Sequence, residues 1–191
     1  MRNSAFLFLS HYDIILGVRE IAMHSRVASC LFVLFAFTAS IAFAQDGADN
    51  SSTTSCTFTS GHQISVRYQR VPIKANDKIP QGDPWAPGGK PIFFFTQAPV
   101  KIGDISVPVG AFSLYMISGK DSWTLAVNRN VSPDSKYAKS QDVGRTALQT
   151  ATLPKPSTDF TAYFGRIAPT TCTLRLDFGK TRAFQDFQDQ K

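Results

Sequence analysis

Few residue types carry chemistry, and this chain of 191 residues is poor in several of them. Downstream of residue 44 it has a single histidine, His62, and no glutamate. An imidazole-based zinc site needs more ligands than that. A Ser-His-Asp triad would have to use His62, which follows Ser60-Gly61 at a hairpin-like turn. No Gly-x-Ser-x-Gly elbow occurs. Twelve aspartates lie over 45–191, and two of them converging would suit an Asp-dependent hydrolase. All twelve fall in turn-like stretches or on polar faces, so no pair stands out. There is no glycine-rich phosphate loop and no EF-hand spacing. No cofactor or metal site is expected, and an enzyme is the less favoured reading.

Binding chemistry has better candidates. Arg70 shares the alternation parity of Ile64, Val66 and Tyr68, the apolar face of a strand. An inward arginine needs a partner or a cleft; otherwise it lies past the strand's end and reaches solvent. Trp85 sits in a loop, Asp83-Pro84-Trp85-Ala86-Pro87-Gly88-Gly89. There it can stack on a sugar or peptide, or plug one end of a core. Arg67, Arg70, Lys74 and Lys78 are spaced out, which describes a solvated face and not a nucleic-acid surface.

The elements that would position these residues read as strands. Ile64, Val66 and Tyr68 alternate with Ser65, Arg67 and Gln69; Trp123, Leu125 and Val127 alternate with Thr124 and Ala126. Phe112, Leu114 and Met116 form a third set, and 147–153 and 160–164 add two more. Pro91-Ile92-Phe93-Phe94-Phe95-Thr96 is a short, fully apolar run. Turn signals separate these runs at Ser60-Gly61, Gly88-Gly89, Pro108-Val109-Gly110, Ser118-Gly119 and Pro154-Lys155-Pro156. At most one helical turn is expected, near 134–140. The fold class is all-β: a single-domain antiparallel β-sandwich of about eight strands over 56–180. Cys172, Leu174, Leu176 and Phe178 share one parity, as do Cys56 and Phe58. Both thiols therefore point inward, and a disulfide between Cys56 and Cys172 is expected.

The amino terminus sets the compartment. Residues 27–44 carry no charge, follow His24 and Arg26, and end in Ala42-Phe43-Ala44. That order describes a secretory signal peptide cleaved between Ala44 and Gln45. Met23 opens a conventional signal peptide over 23–44, which makes 1–22 a start-site extension. The signal peptide would be helical. Removing Arg2, Arg19, Arg26, Asp13 and Glu20 leaves 17 basic and 12 acidic residues, a mild positive excess. Residues 45–55 read as a disordered leader and 181–191 as a C-terminal tail. The expected location is periplasmic or secreted, with no stable membrane span after cleavage.

One stretch resembles a known family. Ile105-Ser106-Val107-Pro108-Val109-Gly110-Ala111-Phe112-Ser113-Leu114-Tyr115, then Trp123-Thr124-Leu125 with Asn128, is similar to the central motif of the exported bacterial "domain of unknown function 2911" family. Tyr68 with Arg70 resembles its first strand, and Tyr137 with Asp142-Val143-Gly144-Arg145 its later segment. The family pattern W-R-T-G-A-[N/D]-E is only partly kept. Ala86, Pro87 and Lys90 replace its Arg, Thr and acidic positions. The resemblance implies an exported β-rich domain and no defined chemistry. The resulting expectation is a noncatalytic protein that binds a small ligand, a glycan or an envelope protein through Arg70, Trp85, Asp142 and Arg145. A structural interaction module is the alternative.

Overall fold

The computed structural model describes residues 50–73, 77–120, 122–134 and 136–190. The expected extension at 1–22, the signal peptide at 23–44, its cleavage point at Ala44 and Gln45, and Lys74 lie outside the described residues. Among the described residues no helix is long and apolar enough to cross a membrane.

The described residues are all-β, with ten antiparallel strands and two 3₁₀ turns. The strands are β1 (Ser51–Thr57), β2 (Gln63–Gln69), β3 (Pro84–Trp85), β4 (Ile92–Thr96), β5 (Val100–Ile102), β6 (Ile105–Val107), β7 (Gly110–Ser118), β8 (Trp123–Asn128), β9 (Asp142–Ala168) and β10 (Thr171–Asp189). They join in the order β1-β2-β4-β7-β8-β9-β10-β5-β6, with β3 on β7. The alternation read from the sequence sets the inner face. Ile64, Val66, Phe94, Leu114, Leu125, Leu174 and Leu176 are all buried in one core.

Curvature turns this sheet into two facing layers. β10 doubles back at Gly179, whose φ of +53° suits glycine in a tight turn. Across that hairpin Arg182 pairs with Asp177, Thr173 donates to Asp186, and the Asp189 amide donates to the Thr170 carbonyl. β9 passes around the hairpin tip, pairing Gln149 to Thr152 on one side of it and Ser157 onward on the other. Its second half then lies alongside β1 and the segment that follows β2. The Ile73 amide donates to Thr158, the Phe160 amide to Val71, and the Phe164 amide to Thr54 Oγ1. Phe94 of β4 meets Phe187 of β10 edge-on at 5.2 Å, and Tyr68 of β2 meets Phe160 of β9 at 5.6 Å. Those contacts are the sandwich core.

Three expected boundaries shift. Residues 51–55, assigned to a disordered leader, begin β1 and pair with β2 from Ser51 opposite Gln69 onward. Polar β-branched Thr53 and Thr54 suit an outer strand whose backbone is paired. Residues 181–189, assigned to a tail, are the second arm of the β10 hairpin, with Ala183 and Phe187 fully buried. The Pro154-Lys155-Pro156 stretch is not a break between strands. β9 continues through it, and the register against β10 slips there, as proline requires where it cannot donate to a ladder.

Cys56 of β1 and Cys172 of β10 form a disulfide, closing a loop with a sequence separation of 116. Both cysteines are buried, as their parity demands. The bridge ties the first strand to the last hairpin, where no β1–β10 backbone ladder exists to do so. In the chain-entropy account a loop of this length contributes about 4–5 kcal/mol. Reduction, or the Cys56→Ala/Cys172→Ala double variant, is expected to lower the unfolding free energy by about 4 kcal/mol, read as a lower denaturant midpoint. A midpoint unmoved by reductant would show that the bridge stabilises nothing.

Candidate functional site

Four polar residues of the resemblance, Asn128, Tyr137, Asp142 and Arg145, converge where β8 hands over to β9. Asn128 ends β8 and is fully buried. Its Nδ2 donates to Asp142 Oδ1 at 2.8 Å and to the Ala138 carbonyl at 2.9 Å, and its Oδ1 accepts the Asn130 amide at 3.0 Å. A buried amide with its groups paired in this way is stable in the interior. The second carboxylate oxygen, Asp142 Oδ2, accepts Tyr137 Oη at 2.5 Å and Arg145 Nε at 2.8 Å. Arg145 also donates to the Tyr137 oxygen and lies over its ring at 5.7 Å. The network pins the connection between β8 and β9 against the outer face of the sheet.

Tyr137 packs on Tyr115 of β7, rings 5.0 Å apart and near perpendicular. Ile117, Ala126 and Ala86 complete this small apolar cluster. Burial pushes the pKa of both phenols above the ordinary value, and the hydrogen bond to the Asp142 carboxylate raises that of Tyr137 further. The hydrogen bond to Asp142 likewise strengthens the hold of Arg145 on its proton. Gly144, between Asp142 and Arg145 in the motif, has a packing role. A Cβ there would lie 2.5 Å from Ile105 Cγ2 of β6, so only glycine lets that strand approach.

Beside this network the outer face of the sheet carries two aromatic rings. Ile92, Phe94 and Thr96 of β4 face the core, so Phe93 and Phe95 project outward. Phe95 is 44% exposed. Cross-strand neighbours of the two rings are small or polar: Ser65 and Ala111 flank Phe95, Arg67 and Ser113 flank Phe93. The rings therefore stand in a cleft of about 410 Å³, walled by Pro91, Val131 and Pro133. A second cleft of about 540 Å³ adjoins it and reaches Tyr115 and Tyr137. Lys90, Pro91 and Pro133 line both, making one groove. Lys90 Nζ lies 3.4 Å from Asp134 Oδ1 across it.

The four residues expected to form a site do not meet around one pocket. Asp142 and Arg145 pair directly. Trp85 is positioned by pairing with Met116, and its ring turns to the core, edge-on to Phe178 at 5.4 Å and to Trp123 and Phe160. It is a plug over the core, and it also borders the second cleft together with Ala86, Gly88 and Gly89. Arg70 is exposed one residue beyond β2 and lines a separate shallow cleft with Asn50, Pro72 and Asp159. Its inward parity ends with the strand. His62 lies 3.5 Å from buried Asp189, whose other oxygen accepts Ser60 Oγ at 2.5 Å. Nδ1, not Nε2, faces both partners, which is not a triad relay.

Tyr115, Tyr137, Asn128, Phe93 and Phe95 had not been singled out as site residues. The signal for the phenylalanines lay in the sequence: an apolar run with no alternation has two apolar faces, and only one can enter a two-layer core.

A family model described as "Protein of unknown function (DUF2911)" matches residues 50–186. The chain belongs to that family. No curated protein and no solved structure matches it. Within the DUF2911 domain, Tyr115, Asn128, Tyr137, Asp142 and Arg145 all fall in this one network. Ala86 and Lys90, two of the replaced positions, border the same groove.

Asp142→Ala strands Asn128, Tyr137 and Arg145 and is expected to cost about 2–4 kcal/mol in denaturant unfolding, with Tyr137→Phe costing about 1 kcal/mol. Equal stability of Asp142→Ala and wild type would refute the anchoring role. A phenol whose folded pKa is raised keeps its proton after the unfolded chain has lost it. Its contribution is complete below the ordinary value of 10.0 and is lost as pH rises through the folded value. Phenolate absorbance is therefore expected to show two tyrosines titrating late, one of them missing in Tyr137→Phe; uniform titration would contradict it.

Proposed function

We propose that this DUF2911 domain is an exported, noncatalytic binding protein whose ligand lies in the groove on the outer face of β2, β4 and β7. The observation that carries the reading is the outward pair Phe93 and Phe95. Contiguous exposed apolar surface on a soluble domain marks a binding site, and here it forms the floor of a cleft in the size range of ligand sites. Export rests on the 23–44 pattern and is supported by the Cys56–Cys172 bridge, a bond of oxidising compartments. The noncatalytic reading rests on Asp142. Both of its oxygens are committed to Asn128, Tyr137 and Arg145, so it serves as a structural anion and not as a poised base.

The test is a ligand screen read residue by residue. Amide chemical shifts of the wild-type protein are followed against panels of glycans, peptides and amphiphiles. Binding is expected to perturb residues 65–69, 90–95 and 131–137, and Phe95→Ala to weaken it by about tenfold while leaving the fold intact. Ligand-induced shifts confined to the Arg70 cleft, with Phe95→Ala silent, would refute the groove.

A further inference from the structure

We infer that the groove's ligand is an anionic amphiphile: one apolar tail carrying a carboxylate or phosphate head. This inference rests on the groove reading above and adds the ligand's chemistry. The groove is itself two-ended. Its floor at one end is Phe93 and Phe95 beside Ala111. The other end presents Tyr115, Tyr137 and Lys136. Lys90 stands at the junction and lines both.

A tail meets the first end well. Phe93, Phe95, Pro91, Val131 and Pro133 offer apolar contact, and the two prolines offer no backbone N–H. Ser51, Arg67 and Gln69 also line this end, and a glycan bound in place of the amphiphile is an outcome that the glycan panel decides. A peptide adding as a strand needs a free sheet edge. The floor strands β2, β4 and β7 are already paired on both sides, so backbone recognition is closed.

An anionic head meets the junction. The Lys90–Asp134 pair is 3.4 Å long with side chains 48% and 86% exposed. Exposed pairs of this kind contribute little and exchange readily. A carboxylate or phosphate competes for Lys90 at small cost, with Lys136 on the same side. The domain's diffuse positive excess favours approach by anions.

The experiment uses the protein purified as its host cell processes it. Dodecanoate, dodecyl phosphate, dodecyl maltoside and dodecyltrimethylammonium are titrated, each below its micelle concentration, by calorimetry with amide-shift mapping. The two anions are expected to bind at Phe95 and Lys90, about tenfold tighter than the neutral and cationic amphiphiles. Lys90→Glu is expected to remove that preference and Lys90→Arg to keep it. Equal binding of the neutral amphiphile, with Lys90→Glu silent, overturns the anionic head and leaves the groove reading standing. Failure of all four amphiphiles overturns the inference, and the groove reading is then decided by the glycan and peptide panels. Shifts remote from the groove overturn both. Binding to anionic vesicles without binding to the monomeric anions overturns it in favour of a membrane surface.

Discussion

The carboxylate of Asp142 is the point on which the outer face of this domain is built. It is nearly buried, with its side chain 10% exposed, and a buried charge is stable only when fully partnered. Its partners come from three places in the chain: Asn128 at the end of β8, Tyr137 in the connecting segment and Arg145 one turn of the pleat into β9. Satisfying that one anion therefore fixes where the connection from β8 to β9 lies. The same segment supplies Val131, Pro133 and Asp134, one wall of the groove. Groove shape thus follows from an electrostatic requirement several ångströms away from the groove itself.

The floor has a different origin. A strand in a two-layer fold has one face for the core. β4 carries aromatic rings on both, Phe94 inward against Phe112 and Phe187, Phe93 and Phe95 outward. Nothing in folding demands the outward pair, since Ser65, Ala111 and Ser113 around them show that small side chains suit that face. Exposed aromatics left in a well-ordered sheet, beside prolines and lysines, are best accounted for by what they touch when occupied.

Period-two alternation made most of the fold legible. It placed Ile64, Val66, Leu114, Leu125, Leu174 and Leu176 in the core and turned Cys56 and Cys172 towards each other. It failed where backbone pairing outweighed composition. Ser51 to Ser55 look like a polar leader, yet they are held by β2, and residues after 180 look like a tail until the Gly179 turn folds them back on β10. Of the candidate site, Asp142 and Arg145 were readable only through the family resemblance: three apart on a regular strand they would face opposite sides, and the register slip between Val127 and Asn128 is what lets them meet. Trp85 and Arg70 were not, because a loop residue's direction and a strand's last inward position depend on where pairing stops. Asn128 belongs to a strand whose buried polar end has no signature beyond its partners.

The replaced motif positions bear on what the groove accepts. Ala86 packs a methyl on the Tyr115–Tyr137 cluster where the family pattern has arginine. Lys90 places an ammonium at the junction of the two clefts where the pattern is acidic. Each change alters charge on the groove's border while the Asp142 network that shapes it is kept. The Asp142 network, which fixes the segment carrying Val131, Pro133 and Asp134, is thus separate from the border positions Ala86 and Lys90.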